Sequence, residues 1–511
     1  MTVSLPPDDL YNRALLERVA PAGWTNPIPK SRYDLVVVGG GTAGLVTAAG
    51  AAGLGAQVAL IEQHLLGGDC LNFGCVPSKS LIAAGRAAAS VRSAAAFGVH
   101  SEPARVDFGQ VMERMRQVRA GLSVHDSAER FRSLGVDVYL GAGQFTGNDE
   151  VRVADQTLRF RKAAICTGAR AAVPAWAIDS GPGGSGELQS RIVTNETLFS
   201  LTELPPRLGI VGGGPIGCEM AQTFARLGSR VTLLDKEIRL LPRDDTDASA
   251  LVLAALQRDG VDLRLGTQIH SVQSTDLEVA VTSRSIGSEP RVDRFDTLLV
   301  ATGRRPNIEG LGLDQAGVDS NARGIVVDDH LRTTNPRIYA AGDVCSRYKF
   351  THAADFLARI VIQNALFWGR AKASQLIIPW CTYTSPEVAH VGLLPDEAAA
   401  QGVAIQTFTQ PLTGVDRAVL DGETDGFVKI HVKAGTDQIV GATIVAAHAG
   451  EMISEVTLAM RHRLGLKGLA ATIHPYPTQA DALRKIGDQY NRTRLGPWVK
   501  RLLGWWFGRT P

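Results

Sequence analysis

One pattern, written twice, constrains this chain more than any other. "YDLVVVGGGTAGLVTAAGAAGLGAQVALIEQ" begins at Tyr33 and "RLGIVGGGPIGCEMAQTFARLGSRVTLLDKE" at Arg207. Each reads as an apolar strand, a glycine turn, a helix rich in small residues and a second strand. The glycines are Gly39, Gly41 and Gly44 in the first copy and Gly212, Gly214 and Gly217 in the second. In this order the first glycine permits a tight turn. The second lets the backbone approach a pyrophosphate, and the third lets the helix pack on the strand. The helix N-terminus adds free N–H groups and a positive dipole end. Each second strand ends in an acid, Glu62 or Asp235, 23 residues beyond the first glycine and placed to bind a ribose. A lone G-x-G-x-x-G is weak evidence. Strand, turn, helix, strand and acid together, found twice, are strong.

Two such units imply two dinucleotides, the pair that a flavoenzyme using a nicotinamide needs: FAD on one domain and NAD(P)H on the other. Asp235 would face a 2′-phosphate with a carboxylate, so NAD(H) is favoured over NADP(H), with Lys236 next door as the counter-argument. Strands ending in tight glycine turns recur at Thr167–Gly168, at Thr302–Gly303 and at Gly342–Asp343. The chain has 511 residues, too many for one core, which suggests two to four domains. Its net charge of +2 offers no argument for nucleic acid. No run is long and apolar enough for a membrane span, and the N-terminus lacks the marks of a signal peptide, so cytoplasmic residence is the default.

Of six cysteines, two stand close together in "GGDCLNFGCVPSK" as Cys70 and Cys75. Cys166, Cys218, Cys345 and Cys381 are scattered singly and read as buried packing residues. No C-x-x-C occurs and no His sits at zinc spacing from a Cys pair, so no metal site is expected. A disulfide closing so small a loop gains little as a staple. A reducible, working pair is the better reading, with two inert buried cysteines as the alternative. Past Pro77 the composition is helical, which sets the pair at a helix N-terminus, where the dipole favours thiolate.

In order along the chain, "VVVGGGTAGL", "GGDCLNFGCVPSK", "GIVGGGPIGCE", "ATGRRPN", "IYAAGDV" and "GFVKIHV…IVGATIV…AGEMI" resemble the flavin-dependent pyridine nucleotide-disulfide oxidoreductases. Dihydrolipoamide dehydrogenase, glutathione reductase and mercuric reductase belong to that family. The likeness runs from about Tyr33 to Asp481. It implies an α/β fold with two Rossmann-like dinucleotide-binding domains and a C-terminal α+β dimerisation domain. The expected boundaries are an extension at 1–31, an FAD domain at 32–177 and 304–375, and an NAD(P) domain at 178–303. A dimerisation domain at 376–482 and a tail at 483–511 would follow. The resemblance further implies that Asp343 binds the FAD ribityl chain and that Lys79 and Glu219 pair beside the flavin. Cys75 would be the thiolate facing the flavin and Cys70 the exchange thiol. Electrons would pass from NAD(P)H through flavin to the pair, and on to a small disulfide or a metal-ion acceptor, in a homodimer.

One segment departs from that pattern. Disulfide-reducing members supply a His, followed by Pro-Thr and by Glu five positions on, from the partner subunit. Here the segment is "IHPYPTQAD". Keeping the Pro-Thr aligns Tyr476 with that His and Asp481 with the Glu; aligning His474 instead loses the acid. The first register is favoured, and a tyrosine is a poor base near neutral pH. Mercuric reductases also carry Tyr here, and "GVDRAVLDGETDGFVKI" looks like theirs. Yet residues 1–30 contain no cysteine and the last cysteine is Cys381, so the thiol ferries of a mercuric reductase are missing. A quinone or diaphorase-type reductase and a low-turnover membrane-associated redox sensor are the rival readings. The N-terminal extension is expected to hold one helix around "DDLYNRALLERV" and to pack on the FAD domain. "DSGPGGSGELQS", near Asp179, reads as a flexible loop. The tail "NRTRLGPWVKRLLGWWFGRTP" mixes Arg492, Arg494, Lys500, Arg501 and Arg509 with Trp498, Trp505, Trp506 and Phe507. That mixture suits peripheral contact with a membrane surface.

Overall fold

The computed structural model describes residues 3–100, 102, 105–178 and 188–508. Residues 179–187 of the loop expected near Asp179, and Arg509, lie outside the described residues; Leu188, where the description resumes, bridges to Ile178. By compactness the chain divides into two units, residues 1–236 with 266–376, and 237–265 with 377–511.

The first unit holds both glycine-turn patterns. Strand Tyr33–Val38 is flanked in parallel by Val58–Glu62 and by Gln156–Ile165, and Val136–Leu140 extends the sheet beyond Val58–Glu62. Ile338–Ala340 joins Gln156–Ile165 in parallel, and two antiparallel strands, Glu150–Val153 and Gly143–Phe145, complete the far side. Apart from Asp34 and the terminal Glu62, the central strands Tyr33–Val38 and Val58–Glu62 are apolar and buried because both faces are covered, as parallel sheets require. Helix Thr42–Gly53 follows the first strand, and Thr351–Leu366 packs against it. The second pattern folds alike: Arg230–Leu234, Arg207–Val211, Thr297–Val300 and Ile192–Val193 lie side by side in parallel. Helix Pro215–Leu227 follows its glycine turn.

The N-terminal helix Leu10–Val19 is capped by Asp9, whose carboxylate accepts from Asn12 N–H. Leu15 and Val19 enter the core that also holds Leu35, Val37, Leu60 and Val361. The extension is therefore built into the first unit. The four scattered cysteines differ from expectation in part. Cys166 and Cys218 are buried, while Cys345 and Cys381 are only half-buried.

The second unit is an antiparallel five-stranded sheet, ordered Trp380–Thr382, Glu387–Gly392, Ile439–Ala446, Phe427–Lys433, Ile405–Pro411. Helices Ala449–Arg461, Leu466–Ala471 and Asp481–Thr493 complete its core together with Leu412, Val415 and Ala418. Leu483, Ile486 and Tyr490 are buried there, so this body runs past the expected end at 482. The reason is a strongly two-faced helix, apolar on one side and charged on the other.

Candidate functional site

The two glycine turns show what the protein itself requires at each position. Gly39 has φ +109° and Gly212 φ +114°, conformations that disfavour any side chain. A Cβ on Gly44 would lie 1.7 Å from the Gly39 carbonyl oxygen, and one on Gly217 would lie 1.8 Å from that of Gly212. The middle glycines differ. A Cβ on Gly41 would come no nearer than 3.7 Å to any atom, and one on Gly214 would meet nothing within 4 Å. Both have ordinary extended backbone, φ −79° and −76°. The protein leaves room there, which fits a dinucleotide pyrophosphate approaching the helix N-terminus.

The acids fit as well. Glu62 accepts from Gly40 N–H at 2.6 Å and from His64 N–H at 2.7 Å, and Asp235 accepts from Gly213 N–H at 2.5 Å. Each carboxylate thus stands against its own glycine turn. Burial pushes the Glu62 carboxyl above its ordinary range, and the backbone N–H groups oppose that. Thr167 donates to the Asn307 carbonyl at 2.7 Å, and Gly168 takes φ +68°. Gly303, at φ +127°, leads from Thr297–Val300 into Arg304–Pro306, which pairs with Ala169–Ala171. Asp343 is half-buried, and the desolvation raises its carboxyl; Arg304 stands 3.4 Å from it and 3.1 Å from Asp69.

Cys70 lies in the short helix Gly68–Asn72, and Cys75 opens the helix Cys75–Ser93. Gly67 and Gly68 enter that loop with positive φ. Gly67 is also where the loop bridges back to Gly41. The redox loop and the first glycine turn are therefore one local structure. The neighbouring Cys70 thiol holds the Cys75 thiol below its ordinary value, burial opposes it, and the Lys79 ammonium and the Thr351 hydroxyl assist. The Cys75 sulfur, then burial, pushes Cys70 up. Thr351 Oγ1 stands 3.6 Å from Cys75 Sγ, at the first residue of helix Thr351–Leu366. Lys79 Nζ meets Glu219 Oε2 at 2.8 Å, joining the cysteine helix to Pro215–Leu227. One exposed flank of Cys75 borders a shallow groove with Val76, Ala83, Val118 and Arg114.

In the second unit the two candidates of "IHPYPTQAD" part company. Tyr476 is 76% exposed and donates to Asp416 Oδ2 at 3.0 Å, which raises its phenol. The His474 side chain is 4% exposed, with Nε2 2.9 Å from Glu455 and Nδ1 3.0 Å from the Thr472 carbonyl. Tyr476 projects and His474 is held back. Asp481 is not the tyrosine's hydrogen-bond partner: it binds Arg484 at 2.8 Å and stands 3.5 Å from Lys485. Asp416 takes the place expected of Asp481 because Asp481 begins a helix whose basic side chains turn back on it. Sequence reasoning missed Thr351, Asp416 and Glu455; each reaches its partner from a separate element, and only the helix-start threonine carried even a weak signal. Among the described residues no group of three or more His, Cys, Asp or Glu could hold a metal, and no helix is long and apolar enough to cross a membrane.

Comparison with known proteins agrees with this geometry. The model of the pyridine nucleotide-disulphide oxidoreductases matches residues 33–356, and that of their dimerisation domain matches 378–486, which supports a homodimer. A dihydrolipoyl dehydrogenase of Chlamydia muridarum is 34% identical over 88% of this chain and 95% of its own length. A mercuric reductase of Bacillus cereus is 33% identical over 88% of this chain and 70% of its own. Among solved structures, the copper(II) complex of the HOCl-induced flavoprotein disulfide reductase RclA of Escherichia coli matches with a TM-score of 0.78 at 29% identity. It covers 90% of this chain and 100% of its own. LpdA of Mycobacterium tuberculosis matches at 0.80 and 28%, over 90% of this chain and 100% of its own. The chain belongs to the pyridine nucleotide-disulfide oxidoreductases, enzymes that depend on FAD and use NAD(P)H.

Proposed function

We propose that this enzyme takes electrons from NADH and passes them through the Cys70–Cys75 pair to a disulfide or soft-metal acceptor, in the manner of the mercuric-reductase-like branch. The observation that carries the reading is the placement of the pair: Cys75 opens a helix with Thr351 Oγ1 3.6 Å from its sulfur, and Cys70 lies on the adjoining turn, a setting that with the Lys79 charge favours thiolate at Cys75. Bound FAD supplies two-electron transfer between the nicotinamide and the disulfide. Gly39, Gly41, Gly44, Glu62, Thr167, Gly168 and Asp343 would hold it, and Gly212, Gly214, Gly217, Asp235 and Gly303 would hold the nicotinamide dinucleotide.

The chain's own steps follow from thiol chemistry. The Cys70 sulfur, once deprotonated, attacks one sulfur of the acceptor, forming a mixed disulfide and releasing the first thiol with a proton. The Cys75 thiolate then attacks Cys70, reforming the Cys70–Cys75 disulfide and releasing the second thiol. The acceptor gains two electrons and two protons, one proton from Cys70 and one from water, and the pair loses two electrons. Lys79, paired with Glu219, stabilises the waiting thiolate. Tyr476 serves as a soft-ligand contact for the acceptor: its phenol gives its proton to Asp416 in a hydrogen bond, and a phenol so held is a poor base. A soft metal ion would instead bind the two thiolates directly.

The finer choices belong to the same reading. Asp235 against its glycine turn favours NADH. The helix Pro497–Trp506 exposes Trp498, Trp505 and Trp506 beside Lys500 and Arg501 and buries no residue, which supports peripheral membrane contact.

The test is turnover by wild type, Cys70→Ser and Cys75→Ser with three acceptor types: an aromatic disulfide, Hg(II) and a quinone. The reading expects Cys70→Ser to lose at least about 100-fold with the first two and little with the quinone. Full activity of Cys70→Ser with disulfide and metal would sink it in favour of direct reduction by the flavin.

A further inference from the structure

The family match begins at residue 33, so the helix Leu10–Val19 lies ahead of it. That helix nevertheless buries a polar side chain. Asn12 has no exposed surface, and its hydrogen bonds explain why it is there. Its Nδ2 donates to the Pro7 carbonyl at 2.8 Å, and its backbone N–H donates to Asp9 at 2.8 Å. Its Oδ1 accepts from Arg119 Nη2 at 2.6 Å. Arg119 is buried on the helix Phe108–Leu122, and its Nη1 donates to the Asn72 carbonyl at 2.8 Å. Asn72 closes the turn Gly68–Asn72, two residues after Cys70 and three before Cys75. Its side chain donates to the Leu66 carbonyl at 3.1 Å and the Gly68 carbonyl at 2.8 Å.

A hydrogen-bonded line thus runs from the N-terminal helix, through one buried guanidinium, to the loop that carries both cysteines. A second rung lies beside it: Arg116, three residues before Arg119, pairs with Asp9, the cap of that helix. Burial, then the like charge of Arg116, lowers Arg119 to about 10, so this cation is held at a cost and depends on its acceptors. Both acceptors of Arg119 are neutral oxygens, one on the extension and one on the redox loop.

We propose that the N-terminal helix braces the redox loop, with Asn12 and Arg119 as positioning residues that hold Cys70 and Cys75 in the geometry the thiolate needs. The proposal rests on the redox reading of that pair. A residue that merely attached the extension would move stability alone. One that fixes the loop also decides how Cys75 sits against the Thr351 hydroxyl and the Lys79 charge, and so how much thiolate is present at a given pH.

The test uses holoenzyme reduced anaerobically with NADH. The thiolate is titrated against pH by its long-wavelength absorption with flavin and, separately, by its rate of alkylation with iodoacetamide. Arg119→Met and Asn12→Leu are expected to raise the midpoint by about half a unit or more, roughly threefold less thiolate below it. Arg119→Lys, which keeps one donor, falls between. Leu15→Ala opens a cavity in the same helix, so it lowers Tm and leaves the midpoint where it was. If Arg119→Met does not fold, Asn12→Leu and Arg119→Lys decide. The brace is overturned if these variants titrate like wild type, or if Leu15→Ala moves the midpoint as far. A wild type that shows no thiolate at all overturns the redox reading and the brace together. A wild-type thiolate with unmoved variants overturns the brace alone.

Discussion

Gly41 and Gly44 stand three positions apart and should answer the same substitution in opposite ways. Gly44→Ala drives a methyl into the Gly39 carbonyl, a backbone clash that cannot relax locally, so a loss of about 3 kcal/mol or more in stability is expected. Gly41→Ala meets nothing nearer than 3.7 Å, so the apoprotein should melt within about 2 °C of wild type while retained FAD falls sharply. Flavin absorbance of the purified proteins, beside their melting curves, separates the two. Cys75 makes a second prediction. Its thiol is lowered below its ordinary value by the neighbouring Cys70 first and, against burial, by the Lys79 charge. A folded value below that of a free thiol means the thiolate persists as pH falls below the free-thiol range and is lost only through the lowered value. Lys79→Met removes one support, so the same loss should come at higher pH, read by absorption of the NADH-reduced enzyme. The glycines and the Cys pair were legible in the sequence because their chemistry is local. Thr351 and Asp416 were not, since their partners lie 276 and 60 positions away.

The ends of the chain make the same point with helices. One helix was expected around "DDLYNRALLERV", and the helix Leu10–Val19 is there, capped by Asp9. Its polar contact with the redox loop was invisible, because Asn12 and Arg119 are 107 positions apart. The break at 482 misread a helix whose buried residues recur at Leu483, Ile486 and Tyr490, a spacing of three and four that argues for continuation. At the other end, the helix Pro497–Trp506 carries its tryptophans outward with Lys500 and Arg501 among them. Deleting residues 496–511 should abolish co-sedimentation with vesicles containing anionic phospholipid and leave reduction of a soluble acceptor unchanged. Equal sedimentation of the full and shortened chains would remove the membrane reading.

Across the whole molecule, the glycine patterns foretold two dinucleotide-binding units built on parallel strands, and the resemblance implied the α+β dimerisation domain, whose sheet is antiparallel. What stayed hidden was how the chain is shared between bodies. Residues 237–265 group with the C-terminal sheet, where Asp245 caps the helix Thr246–Arg258 and binds Lys429 at 2.8 Å. No local pattern encodes an ion pair spanning 184 positions. A homodimer predicts a light-scattering mass of twice the 54.4 kDa chain. The central claim, that Cys70 and Cys75 are a flavin-coupled redox pair, is tested most directly by anaerobic titration of the holoenzyme with NADH. The account predicts a long-wavelength thiolate-to-flavin band after one equivalent, absent from Cys75→Ser. Direct bleaching of the flavin with no such band in the wild type would contradict it.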